Sequence, residues 1–74
     1  MVLSNLEIGR TAKIKGYLSE DLPTKILELG LIPGATVRMK CQAPLNGPVY
    51  VSLESDNSKL AIKKSIAELI DLEQ

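Results

Sequence analysis

The side chains that could carry out chemistry in this chain are few, and they are not grouped. There is no histidine, which removes the most common general base and the most common protein ligand for metals. Cys41 is the only cysteine, and a single thiolate cannot form a structural metal site. Glu54 and Asp56 flank a predicted turn and offer at most a weak oxygen-ligand site, because charged side chains there are usually only solvated. The sequence therefore predicts no enzyme, no cofactor and no metal site.

Cys41 has two interpretations. One is a reactive thiol; the other is a small apolar residue on the inward face of a strand, beside Val37 and Met39. The alternating pattern of residues 36–42 favours the inward position. A lone cysteine forms no internal disulfide, which indicates a reducing compartment.

Length and charge exclude further classes of function. The chain has 74 residues, enough for one domain over residues 1–74, with nine basic and nine acidic side chains and two tyrosines as its only aromatic residues. A nucleic-acid-binding protein is expected to show a basic surface and aromatic stacking platforms. Lys59, Lys63 and Lys64 are close in sequence, but we interpret them as a solvated strand end. No nucleic-acid partner is expected.

The hydropathy pattern predicts a cytoplasmic protein. Residues 1–6 have no basic segment and no long apolar core, so they do not resemble a signal peptide. Uninterrupted apolar runs are only a few residues long, so we expect no insertion into a membrane.

Alternation of apolar and polar residues predicts a mostly β chain. It indicates five short strands, at residues 11–17, 36–42, 49–54, 59–63 and 69–72. A capping-box pattern beginning at Ser65 predicts one helical turn before the last strand. Five strands in so short a chain favour a closed or nearly closed barrel, since closure protects the strand edges.

One helix is predicted between the first two strands, within residues 19–30. Ser19 or Asp21 can cap it, and Pro23 is tolerated in a first turn. Its buried stripe is predicted to consist of apolar residues at helical spacing, namely Leu22, Ile26 and Leu29.

The end of this helix is marked by local chemistry. Gly30 is placed for a left-handed stop, after which Leu31 can pack back on Ile26 in a Schellman motif. Pro33 and Gly34 suit the central positions of a type II turn.

Residues 43–48 are predicted to form a longer, shaped loop between two antiparallel strands. Asn46 and Gly47 are typical of a tight hairpin turn. Pro48, however, has no N–H group to close a two-residue turn that begins at Leu45. Residues 55–58 predict a second turn.

Three stretches carry a family resemblance. They are residues 26–34, 43–48 and 60–67, which read Ile-Leu-Glu-Leu-Gly-Leu-Ile-Pro-Gly, Ala-Pro-Leu-Asn-Gly-Pro and Leu-Ala-Ile-Lys-Lys-Ser-Ile-Ala. In these stretches, and in residues 3–9, the chain resembles the ferrous-iron transport protein A family. The resemblance implies an SH3-like β-barrel. It also implies a small cytosolic protein that binds or regulates a membrane ferrous-iron transporter with a GTP-binding domain.

Two hypotheses about function follow. The first is an accessory module of ferrous-iron uptake, whose partner-binding residues are the loop and two leucines near the helix end: Leu27, Leu31, Ala43, Pro44, Leu45, Asn46, Gly47 and Pro48. The alternative is a stand-alone SH3-like module of a metal-dependent transcription system, or a nucleic-acid-associated barrel. For Leu45 the competing interpretation is a side chain that folds back to cap the barrel. The oligomeric state is left open.

Overall fold

Five antiparallel strands form one sheet in the computed structural model, which describes residues 1–73. The strands are β1 (Thr11–Tyr17), β2 (Thr36–Gln42), β3 (Val49–Leu53), β4 (Lys59–Ile62) and β5 (Ile70–Leu72). Helix α1 (Thr24–Glu28) connects β1 to β2, the helical turn α2 (Lys64–Ala67) precedes β5, and a 3₁₀ turn (Leu3–Asn5) opens the chain. The predicted mostly β fold, with one helix after the first strand and a helical turn before the last, is confirmed.

The sheet is not closed into a barrel, so the prediction of closure is wrong. Its strand order is β4-β3-β2-β1-β5, which leaves β4 and β5 at opposite ends. The outer edge of β5 is already occupied, because the Leu72 N–H donates to the Met1 carbonyl at 2.7 Å and Val2 pairs with Asp71. The N-terminal segment therefore lies where a closing strand would have to pair.

The apolar core lies on the inner face of the sheet. The alternation predicted for β3 is confirmed in part: Val49, Val51 and Leu53 are buried and Tyr50 is exposed, but Ser52, predicted to face outwards, is buried as well. Leu3 and Leu6 are also buried, although no strand or helix pattern marked them. The Gln42 side chain fixes their segment by donating to the Leu6 carbonyl at 3.1 Å.

Helix α1 is shorter than predicted and begins at Thr24. Pro23 occupies the N-cap position with an extended ψ of 139°, and no side chain caps the helix. A residue before proline is disfavoured in the helical region, so Leu22 cannot extend the helix backwards. Ser19 instead accepts a hydrogen bond from the Asp21 N–H at 3.1 Å, within a turn.

The predicted Schellman stop is confirmed. Gly30 has φ +94°, its N–H donates to the Leu27 carbonyl at 3.0 Å, and the Leu31 N–H donates to the Ile26 carbonyl at 3.2 Å. The type II turn is confirmed by Gly34 at φ +95° and by a hydrogen bond from the N–H of the following residue, Ala35, to the Ile32 carbonyl.

Cys41 is exposed, so its predicted inward position is wrong. The cause is a β-bulge. Met39 pairs with Val51. Cys41 pairs with Tyr50, the residue just before Val51 in β3, which leaves Lys40 as an extra residue in β2. The bulge reverses the alternation, so Cys41 joins exposed Tyr50 on the outer face.

The helical turn α2 forms, but the predicted capping box does not. It begins at Lys64, its N-cap residue is Lys63, and no side chain bonds to that end.

Tyr17 ties the end of β1 to the segment after α1, because its hydroxyl donates to the Leu31 carbonyl at 2.6 Å. Tyr17→Phe is expected to lower the free energy of unfolding by about 1–2 kcal/mol, since the carbonyl loses its partner. Burial raises the pKa of Tyr17 above 10.0. The contribution of Tyr17 is therefore complete below pH 10.0 and is lost as the pH rises through the folded-state pKa.

Denaturant unfolding of the wild-type protein and of Tyr17→Phe, at neutral pH and above pH 10.0, measures the contribution of Tyr17 to the free energy of unfolding. The difference in stability between them should shrink at the higher pH. A constant difference would show that ionisation of Tyr17 is not linked to folding.

Candidate functional site

The loop of residues 43–48 is a rigid turn on a two-strand base. The Ala43 N–H donates to the Pro48 carbonyl at 3.0 Å, which continues the pairing of β2 with β3. Above it the Gly47 N–H donates to the Pro44 carbonyl at 3.1 Å. Leu45, with φ 58°, is one of the two central residues of this inner turn. The predicted bounds hold, since β2 ends at Gln42 and β3 begins at Val49. Within them, however, the chain makes a tight turn centred on Leu45 and Asn46, one residue before the turn that Pro48 excludes.

Leu45 is strained and exposed at the same time. It adopts φ 58°, which costs an L-residue with a bulky side chain about 1–2 kcal/mol. Its side chain is 97% exposed, so no packing offsets that cost. The interpretation in which Leu45 folds back to cap the barrel is therefore wrong. Backbone strain of this kind clusters at binding and catalytic sites.

Neighbouring residues hold the turn in shape. Asn46 also has a positive φ, of 60°, which asparagine tolerates better than leucine. Its side-chain Oδ1 accepts a hydrogen bond from Lys64 Nζ at 3.0 Å, so the turn is joined to α2. A Cβ atom at Gly47 would lie 2.8 Å from the Ala43 Cβ, and only glycine fits that close approach. Leu45 is therefore exposed at the tip of a turn whose conformation is held by these contacts.

Leu27 and Leu31, the two leucines predicted as contact residues outside the loop, differ in exposure. Leu27 is 49% exposed on α1, beside an apolar groove that Leu18 and Leu22 also line. Leu31 is fully buried in the core, so its predicted place on an exposed contact surface is wrong. The loop residues Asn46 and Gly47 line a different hollow, against α2. The structure therefore brings the loop residues together but does not group Leu27 with them.

A family model matches the whole of this chain, and solved structures match nearly all of it. The model, described as the FeoA domain, matches residues 1–74. The chain belongs to the FeoA domain family. No curated protein sequence matches it.

The solved structures agree with this family assignment. Iron(II) transport protein A from Clostridium thermocellum is 32% identical, with a TM-score of 0.86 over 99% of this chain and 44% of that one. The FeoA-like protein from Clostridium acetobutylicum is 27% identical, with a TM-score of 0.84 over 99% and 84%. FeoA from Stenotrophomonas maltophilia, an SH3 domain protein complexed with zinc, is 23% identical, with a TM-score of 0.80 over 99% and 89%. The fold of this family member is therefore SH3-like.

Glu54 and Asp56, the two carboxylates that flank the turn in this FeoA domain, bind different partners. Glu54 Oε1 accepts a hydrogen bond from Arg38 Nε at 2.9 Å, in an ion pair at the surface. The pKa of Asp56 is lowered by a hydrogen bond from the Ser58 side chain and by one from the Ser58 N–H, the latter at 3.0 Å. Among residues 1–73 no three acidic or cysteine side chains converge as a metal-ligand group. Glu54 and Asp56 are thus each held by a different partner.

We expect this FeoA domain, on its own, not to bind ferrous iron stoichiometrically below micromolar concentrations. The reason is chemical, because the sequence has no histidine and Cys41 has no other cysteine to complete a site. Anaerobic titration calorimetry with ferrous iron tests this at protein concentrations of about 50 μM. A one-to-one site with sub-micromolar affinity would contradict the prediction.

No helix within residues 1–73 of this family member is long and apolar enough to cross a membrane.

Proposed function

We propose that this protein is a non-catalytic, cytosolic accessory protein of ferrous iron uptake. It binds the cytosolic part of a membrane ferrous-iron transporter that carries a GTP-binding domain. Membership of the FeoA family supports a role in ferrous iron transport. The Stenotrophomonas maltophilia relative is described as a possible ferrous iron transport activating factor, which supports a regulatory role rather than a carrier role.

The observation that carries the proposal is that Leu45 is both exposed and held at a positive φ. A fully displayed leucine in a strained conformation has no role in this chain's own packing. Pro44 and Pro48 restrict the loop, and Lys64 braces it through Asn46. A loop that is already ordered loses little conformational entropy on docking, so its apolar tip suits a protein partner.

Ferrous-iron uptake and co-purification test the proposal together. Cells lacking this protein should take up less ferrous iron under iron limitation, and expression of the wild-type chain should restore uptake. The tagged protein should also co-purify with the transporter from detergent-solubilised membranes. Normal uptake without the protein, together with no co-purification, would overturn the proposal.

A further inference from the structure

One edge of the sheet is open within residues 1–73. The outer edge of β5 is covered by Met1 and Val2. Strand β4, at the opposite end, pairs only with β3. An unpaired strand edge presents a row of backbone N–H and C=O groups to which another extended chain can bond.

The pairing pattern shows which groups of β4 face outwards. The Leu53 N–H donates to the Ser58 carbonyl at 3.0 Å, so Leu53 directs its backbone groups towards the β4 side. In an antiparallel pair these bonds involve every second residue, which gives the same direction to Val51, paired with Leu60. The alternate β4 residues, Lys59 and Ala61, therefore point their N–H and C=O groups away from β3. No strand within residues 1–73 pairs with that side of β4.

The side chains at this edge form a distinct exposed row. Lys59 and Ala61 alternate with inward-facing Leu60 and buried Ile62, so they share the outer face. Exposed Lys63 follows β4 with an extended ψ of 139°, as the N-cap residue of α2. Ala61 pairs with Tyr50, whose exposed ring continues the row across β3. A strand added beside β4 would thus meet a small apolar surface between two positive charges.

We propose that the β4 edge binds an extended acidic peptide segment of another protein by strand addition. Opposite Ala61 the segment carries an apolar residue, which packs against Ala61 and Tyr50. Two residues to either side it carries acidic residues, which pair with Lys59 and Lys63. The pattern acidic-x-apolar-x-acidic is symmetrical, so it suits either strand direction. Lys63 lies beside the loop, in a hollow that Asn46 and Gly47 also line but Leu45 does not. Peptide affinity measured on the isolated protein does not depend on the role in iron uptake.

A second copy of this chain is a poor occupant of the same edge. Antiparallel self-pairing about Ala61 would place Lys59 of each copy opposite Lys63 of the other. Like charges directly opposite each other in a sheet are destabilising, and edge lysines are a common device against self-association. The same two lysines attract an acidic strand, so charge selects the partner class.

A synthetic peptide tests the proposal directly. The probe is the blocked peptide Ser-Thr-Glu-Thr-Val-Thr-Glu-Thr-Ser, and the control has lysine in place of both glutamates. In amide NMR spectra the probe should shift the signals of Lys59, Ala61 and Lys63, with Kd below about 1 mM. Hydrogen exchange of the Ala61 N–H should be fast in the free protein and slow in the complex. The control peptide should do neither.

Variants of β4 separate edge pairing from simple charge attraction. Ala61→Pro removes an N–H that faces outwards, so the ladder with β3 is retained while affinity for the probe falls at least about tenfold. Ala61→Thr is the matched control, because it keeps the N–H group and should bind normally. If Ala61→Pro fails to fold, the Lys59→Glu/Lys63→Glu double variant replaces it. That variant should bind the lysine peptide in preference to the probe.

Three results would overturn the proposal. One is the absence of shifts at Lys59, Ala61 and Lys63 at millimolar probe. Another is shifts confined to a different surface. The third is concentration-dependent protection of Ala61 without peptide, which would show that a second copy occupies the edge.

Discussion

Gly30→Val is expected to lower the free energy of unfolding by about 3 kcal/mol, more than the same change at Gly9. Both glycines have positive φ, +94° at Gly30 and +88° at Gly9, so valine is strained at either position. Gly30 carries a second cost, because a Cβ there lies 3.0 Å from the Cδ1 atom of buried Leu53. At Gly9 a Cβ meets no atom within 4 Å.

The alanine variants isolate that second cost. Gly9→Ala and Gly30→Ala pay a similar backbone penalty, so any difference between them measures contact with Leu53. Denaturant unfolding of all four variants gives the free energies. Equal losses at Gly9 and Gly30 would contradict the prediction and would show that Leu53 moves aside at no cost.

The part of the fold that could be predicted depends on local chemistry. Gly30 ends the helix because glycine readily adopts the positive φ that this position requires, and Pro33 with Gly34 defines a turn within four residues. Both features can therefore be predicted without information from elsewhere in the chain. The loop that ends at Pro48 is partly of the same kind, since the missing N–H of Pro48 excludes a turn centred on Asn46 and Gly47.

Two of the errors concern features that are decided by pairing between strands distant in sequence. Cys41 continues the alternation of β2 in sequence, and only the pairing with β3 introduces the bulge that turns it outwards. Barrel closure fails because Met1 and Val2, which carry no strand pattern, occupy the edge of β5. Leu31 is a different error, since the Schellman motif itself brings this residue back towards Ile26 and already implied burial.

In the candidate site, too, features set by local sequence could be predicted and features set by distant contacts could not. The sequence indicated a shaped loop at residues 43–48 with Leu45 near its tip, but left open whether that side chain is exposed or folds back on the barrel. The positive φ of Leu45 arises from the hydrogen bond between Gly47 and Pro44 and from the β2–β3 register, and a leucine in that conformation has no sequence signature. The lysine that braces the loop comes from α2, eighteen residues beyond Asn46.

Leu45→Asp is expected to abolish co-purification with the transporter and to impair ferrous-iron uptake while the fold remains intact. The side chain is 97% exposed, so the substitution removes no packing, and aspartate tolerates a positive φ better than leucine. The melting temperature should therefore be unchanged or slightly raised. Ile8→Asp is the matched control, since Ile8 is another exposed aliphatic residue, at 63% exposure, outside the loop.

Leu45→Asn separates the contact from the charge that aspartate introduces. Asparagine relieves the backbone strain, so this variant should gain about 1 kcal/mol in the free energy of unfolding. It should nevertheless lose binding, because the apolar tip is gone. Stability and function would then move in opposite directions, which a structural role for Leu45 cannot produce. If both Leu45 variants are stable and support normal uptake and co-purification, the loop is not part of the interaction surface, and the exposed Leu27 on α1 becomes the next residue to replace.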